Sequence, residues 1–345
     1  MINCYSKNGW DPLETVLLGG FIEPDTLKVI LDYSKFDPIR PWLMKIAQET
    51  EEDLDNIQYV LEQHGVQVIR PDWEIVREEQ VRRWRKGDTE IAPISPRNDL
   101  FVYKDTVIAG PDSLAGQPWE NFIDNDIIHL QGTQLQPVHL PCIFRCNDRL
   151  IIGNEISEYE LERLKDMLPD SEYVRTDVEG HVDARMATLR EGLVVYANTD
   201  IEQTLINETF PGWKHIFCDK YGFNADPRYY SEDPPEQFDD TLRALTNNRW
   251  DIFGYNGDNP EEVASLIDDN FSNWTGRAYE THFDVNMLTI NPNLSITVGT
   301  DKELIKRVEQ EGHELITVPF RHRWFFDQGL HCITCDLVRK HDNNN

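Results

Sequence analysis

Four stretches of this chain repeat one pattern, and that repetition restricts the fold more than any other feature. Each is an apolar run, a polar turn of two or three residues, and a second apolar run closed by small or turn residues. They read LFVYKDTVIAG from Leu100, IFRCNDRLIIG from Ile143, ATLREGLVVYAN from Ala187 and MLTINPNLSITVG from Met287. Runs rich in β-branched residues around short polar turns predict β-hairpins. Val107, Leu150 and Leu193 hold equivalent places, so two successive spacings are both 43 residues, whereas Leu294 follows Leu193 by 101. A fixed period of this size marks a repeated module, and the long interval marks one module carrying an insertion. The opening WDPLETVLLGG has the pattern of a fifth, degenerate copy.

Helical patterns alternate with the hairpins. Thr50–His64 ends at Gly65, Ser157–Met167 is stopped by Pro169, and Lys302–Gln310 ends at Gly312. In the first, Leu54, Ile57, Tyr59, Val60 and Leu61 fall mostly at the offsets of one helix face. A short strand follows each helix, at Val66–Ile69, Tyr173–Arg175 and Glu314–Pro319. Hairpin, helix and strand repeated about five times make an α/β array. Its period is too short for independent domains, so residues 1–345 are expected to form one domain closed on itself. The segment from Lys220 to Thr281 breaks the period and is rich in Asp, Asn, Pro and aromatics, as expected of an ordered functional insertion.

Charge narrows the partners. The chain has 33 Lys+Arg against 62 Asp+Glu, a formal charge of −29. Such a field disfavours partners held through phosphate neutralisation and attracts cationic ligands, so nucleic acid and anionic membrane are not expected. The locally basic run Arg77–Lys86 mixes signs and reads as a solvated helix face. No apolar run reaches the length of a membrane helix, and the N-terminus lacks a secretory h-region. Six cysteines in 345 residues are too sparse for a disulfide scaffold, which fits a reduced, cytoplasmic setting.

Two clusters could carry chemistry. In Val178-Glu179-Gly180-His181-Val182-Asp183-Ala184, a strand would turn His181 and Asp183 to one face, joining a proton carrier to an anionic anchor. A surface histidine beside an aspartate is the plainer reading. In Gln328-Gly329-Leu330-His331-Cys332-Ile333-Thr334-Cys335-Asp336, Cys332 and Cys335 form a lone CxxC. Buried inert thiols account for it as well as a nucleophile does. Zinc would need two more ligands, and Cys142 and Cys146 are too distant in sequence for a compact module. There is no GxGxxG, Walker loop or GxSxG elbow.

Taken together, these motifs resemble the guanidino-modifying (pentein) superfamily, and within it the glycine and inosamine-phosphate amidinotransferases. NGWDPLETVLLGG is similar to that family's N-terminal strand, and LEQHGVQVIRPD to its first helix–strand passage. SPRNDLFVYKDTVIAGP resembles its Pro-Arg-Asp strand, GHVDARMATLREGLVVYANTD its His-x-Asp strand and hairpin, and GLHCITCDLVR its nucleophile motif. The resemblance implies a five-bladed, pseudo-symmetric α/β propeller of hairpin–helix–strand modules, matching the repeat count. It implies Cys332 as nucleophile, His181 as general acid/base and Asp183 as a holder of the substrate guanidinium. It also implies small-molecule substrates (L-arginine or another guanidino donor, and an amine acceptor), no cofactor, no metal and a homodimer. The residue types suit this chemistry, because a guanidinium carbon is a poor electrophile that needs a thiolate.

Departures from the family pattern alter the expected site. A gapless match puts Asn98 where the family has a carboxylate, and a shift to Asp99 would turn that carboxylate to the other strand face. The second acidic position falls near Pro141-Cys142. Asp177, Glu179, His282 and Asp284 are the candidate replacements. Three functions therefore compete: amidino transfer from L-arginine to a small, glycine-like amine, hydrolysis of the same intermediate as in arginine or agmatine deiminases, and guanidino binding without turnover. A zinc-bound structural protein is a distant fourth.

Overall fold

The computed structural model describes residues 1–32, 37, 40–70, 81, 94–110, 122–130, 140–176, 178, 180–197, 206–218 and 281–340. The inserted segment, except Thr281, and the basic run 77–86, except Val81, lie outside the described residues. So do Asp177 and Glu179.

Fifteen described strands form five three-stranded sheets. In chain order they are β1 (Leu13–Leu18), β2 (Gln67–Ile69), β3 (Leu100–Tyr103), β4 (Thr106–Ala109), β5 (Ile127–His129), β6 (Ile143–Cys146), β7 (Arg149–Ile152), β8 (Glu172–Arg175), β9 (Met186–Arg190), β10 (Leu193–Ala197), β11 (Lys214–Cys218), β12 (Leu288–Asn291), β13 (Leu294–Thr297), β14 (Glu314–Thr317) and β15 (Thr334–Arg339). Every sheet has the same plan: an antiparallel hairpin whose second strand carries a third strand in parallel. Parallel pairing requires a crossover, and helices supply it where they are described. Glu158–Met167 links β7 to β8 and Lys302–Gln310 links β13 to β14. Ser157 and Glu160 close a capping box on the first, and Asp301 accepts the N–H groups of Glu303 and Leu304 on the second. The helix expected from Thr50 runs from Arg40 to Gln63.

The fifth sheet corrects one expectation. WDPLETVLLGG contributes a single strand, β1, whose antiparallel partner is the C-terminal β15, with Leu17 opposite Cys335 and Leu18 opposite Thr334. The fifth hairpin is thus divided between the chain ends. The CxxC segment closes the sheet that the first strand opens.

A second correction concerns the residues just before each hairpin. The Pro-Arg-Asn-Asp segment is a helical turn, Pro96–Asp99, and not a strand, so the two-residue face alternation assumed for Asn98 and Asp99 does not operate. His181 likewise caps a helical turn, Val182–Arg185, with the Ala184 N–H bonded to the His181 carbonyl at 3.1 Å. Short turns at 140–142, 281–286 and 331–333 precede the other three hairpins. Local backbone bonding in these short, buried turns wins over the β propensity of the strands they feed.

The first strands of the sheets are tied together by buried polar contacts around Asp336 on β15. Asp336 is fully buried and accepts hydrogen bonds from Arg97 at 2.9 Å, Arg145 at 2.7 Å and Arg339 at 2.7 Å. Arg145 on β6 also donates to the Val102 carbonyl of β3, and Arg339 to the Thr289 carbonyl of β12. Thr289 in turn donates to the Thr188 carbonyl of β9. All five first strands are therefore linked by side chains as well as by apolar packing.

The three guanidinium groups overcome the burial penalty and hold the Asp336 carboxyl well below its ordinary range. The folded value lies below the unfolded one, so this stabilisation is present at neutral pH and is lost as pH falls through the folded value. Replacing Asp336 with Asn should cost about 3–5 kcal/mol, because it leaves buried arginines without their counter-ion. Urea denaturation at pH 7 measures the loss. The difference from the native chain should shrink as the pH is lowered into the acid unfolding range.

Candidate active site

Cys332 sits in the turn before β15, buried to 4% exposure. Its sulfur lies 3.6 Å from Oδ2 of Asp183, although the two residues are 149 positions apart. The same carboxylate oxygen lies 2.7 Å from Nδ1 of His331 and 4.0 Å from Nε of Arg97. Its other oxygen, Oδ1, is buried and has no hydrogen-bond partner among the described residues. A buried carboxylate oxygen without a donor is costly, so the site has room in its bonding for one more N–H.

Electrostatics distinguish the two groups. Burial alone would raise the Asp183 carboxyl, but the His331 hydrogen bond, together with Arg97 and His181, holds it below the ordinary range as an anion. Burial and the Arg97 guanidinium oppose a second proton on His331, which leaves a neutral ring donating through Nδ1. The Cys332 thiol is driven far the other way, first by burial and then by the Asp183 charge. The Gly329 backbone, the Asn286 amide and Arg97 offset part of that rise. At rest the sulfur is a thiol beside an anion. A cation bound beside both would reverse the balance.

The candidates named from sequence scatter in an informative way. His181 stands at the start of the same turn that carries Asp183, is partly buried, and helps to lower the Asp183 carboxyl electrostatically. His282 is buried with Nε2 3.1 Å from an Arg185 guanidinium nitrogen. Burial and that cation push its imidazole down to about 3. It is neutral at physiological pH. Asp284 is buried and accepts the backbone N–H groups of Thr300 and Asp301 at 2.6 and 3.1 Å and the Thr300 hydroxyl. Its carboxylate is engaged in holding the turn after β13. Asn98 is exposed and Asp99 half-buried, while Arg97 between them and Pro96 points inward to the His331 carbonyl and Asp336. Glu179 lies outside the described residues.

Cys142 lies in the turn before β6, with its sulfur 3.6 Å from the Gly180 carbonyl and 3.9 Å from a Glu155 oxygen. All six cysteines are buried thiols outside any disulfide. Burial pushes the Cys335 thiol up to about 11 and its sulfur donates to the Leu100 carbonyl, so the second cysteine of the CxxC belongs to the core. Among the described residues no group of three or more His, Cys, Asp or Glu side chains is arranged to hold a metal ion, and no helix is long and apolar enough to cross a membrane.

Sequence reasoning missed three residues that the structure brings to this cluster: Asn286, His331 and Arg97. The first stood in the ETHFDVNML segment next to His282 and Asp284, and the second beside the nucleophile candidate. Neither position had a spacing that would single it out.

No protein-family model matches the chain. Over 392 residues it is 21% identical to inosamine-phosphate amidinotransferase 1 of Streptomyces glaucescens, covering 96% of this chain and 95% of that protein. Its fold is similar to the inosamine-phosphate amidinotransferase StrB1 of Streptomyces griseus, with a TM-score of 0.63, 17% identity and coverage of 99% and 98% of the two chains. It is equally similar to SxtG, an amidinotransferase of the saxitoxin biosynthetic pathway from Microseira wollei, with a TM-score of 0.63, 14% identity and 99% of each chain covered. The chain is thus similar from end to end, in fold and in sequence, to amidinotransferases of the guanidino-modifying (pentein) superfamily.

Proposed function

We propose that the protein is an amidinotransferase that takes the amidino group of L-arginine, or of a similar guanidino donor, and passes it to a small amine through a covalent intermediate on Cys332. One observation carries this reading: the free carboxylate oxygen of Asp183 is buried in the same cluster as the Cys332 sulfur. A planar guanidinium donating N–H to Asp183 would present its carbon to the sulfur, which is the positioning such a poor electrophile requires.

The bound cation also supplies what the resting thiol lacks. Bound to the other Asp183 oxygen beside the sulfur, it offsets the burial and the negative charge that keep the proton on sulfur. The thiol proton passes to His181, and the thiolate forms an S–C bond to the guanidinium carbon. The C–N bond to the donor amine breaks, and that amine leaves with a proton from His181. An acceptor amine next forms a new C–N bond to the same carbon, the S–C bond breaks, and the acceptor's proton returns to His181. Asn98, Asp99 and Glu179 are assigned to substrate binding. Closure of the five modules around a common axis, one domain over 1–345 with 220–281 inserted, a homodimer and a cytoplasmic setting belong to the same proposal.

Incubation with L-arginine in the presence and absence of glycine and other small amines tests the reading. Ornithine formed only with an acceptor supports transfer. Citrulline formed without one means hydrolysis, and no product from any guanidino donor means binding alone. Cys332→Ala should abolish turnover, and His181→Gln should lower it by about 10²–10⁴-fold at saturating substrate.

Asp183→Asn gives a test with a particular sign. Loss of the anion beside the sulfur should lower the Cys332 thiol from its raised position, so iodoacetamide labels it at lower pH than in the native chain. The same change should remove activity, because the guanidinium anchor is gone. Labelling that moves to higher pH, or activity that survives, would be incompatible with the assigned role.

A further inference from the structure

Asn286 is fully buried, and its side chain joins the two halves of the site. Nδ2 donates to the Cys332 sulfur at 3.0 Å and to the Asp183 carbonyl at 2.9 Å. Oδ1 accepts the backbone N–H groups of His331 at 2.9 Å and Cys332 at 3.0 Å. An asparagine amide has two donor hydrogens and one oxygen with two lone pairs, so all of its capacity is used. That arrangement also orients the amide. A flipped group would aim its hydrogens at two backbone N–H donors. The local backbone is shaped to admit it, since a Cβ on Gly329 would come within 2.4 Å of Oδ1 and 2.6 Å of the Asn286 Cβ.

The sulfur needs such a donor. Asp183 faces it at 3.6 Å with a negative charge, and His331 and His181 act on that carboxylate, while Arg97 acts on both groups. Nδ2 addresses the sulfur directly.

We infer that Asn286 is a catalytic residue of this site, its amide N–H stabilising the Cys332 thiolate while its oxygen and second hydrogen hold the nucleophile turn against the Asp183 turn. This inference rests on Cys332 being the nucleophile of the proposed reaction, but it is tested without turnover. The test follows the rate of Cys332 alkylation by iodoacetamide from pH 6 to 11, located by peptide mass spectrometry, in the native chain, Asn286→Asp and Asn286→Ala. Asp keeps the acceptor bonds from His331 and Cys332, whereas Ala removes every contact. Both should shift the labelling midpoint upward by at least one pH unit and slow labelling at pH 8 by about tenfold or more. A folded variant that labels with the native profile overturns the inference.

A measurement on the native chain covers variants that fail to fold. In protein labelled with ¹⁵N-asparagine, one side-chain amide pair should shift with the midpoint of Cys332 ionisation and should move when Cys332 is blocked by methyl methanethiosulfonate. If no asparagine side chain follows the thiol, Asn286 has no such role. A normal response of Asn286 in a chain that turns over no guanidino compound would leave this contact standing and remove the proposed reaction instead.

Discussion

A carboxylate surrounded by three guanidinium groups in the interior is an arrangement that proteins seldom bury, because each charge must be taken from water. Asp336 is in that position, and its partners come from three different parts of the chain: the turn before β3, the strand β6, and its own strand β15. The ions satisfy one another and reach onward to the backbone carbonyls of β3 and β12. A single buried anion thereby sets where separate hairpins meet. The apolar surfaces would pack in many nearly equivalent ways, but hydrogen bonds to fixed carbonyls admit few.

The site inherits this order. Arg97 bonds to Asp336 with one nitrogen and to the His331 carbonyl with another, so the structural ion cluster extends into the turn that holds Cys332. The same guanidinium stands 4.0 Å from Asp183. Asn286 completes the connection from the opposite side by binding Asp183, His331 and Cys332 together. The result is a sulfur and a carboxylate held in hydrogen-bond contact at 3.6 Å, with a neutral histidine fixing the carboxylate and one of its oxygens left without a donor. In a buried environment such unpaired capacity is retained when something else is to fill it.

Repetition explains why the site could be built at all. Each module places a short turn immediately before its first strand, and those turns carry Arg97, Cys142, His181 with Asp183, Asn286, and His331 with Cys332. The five like positions supply different chemical groups to one region. Substitution within a turn changes the chemistry without disturbing the strands. The absence of carboxylates at Asn98 and Cys142 is a variation of that kind, and it leaves the hairpins behind them in register.

The amino-acid sequence by itself determined the modules: the alternating apolar pattern and turn residues specify hairpins wherever they occur, and Leu100, Ile143 and Met287 open elements close to their expected places. It also singled out Cys332, His181 and Asp183, since thiol, imidazole and carboxylate in those motifs are chemically distinctive. Tertiary structure alone decided that the first strand pairs with the last, that the residues before the hairpins form helical turns, and that Asp284 is engaged by the Thr300–Asp301 turn. It alone brought Asn286 and Arg97 to the sulfur. Local pattern reflects side-chain periodicity over a few residues, whereas the first strand meets the last, Asn286 reaches Cys332 across 46 positions and Arg97 reaches Asp336 across 239. Such contacts are chosen by which buried polar groups can find partners once the modules have come together.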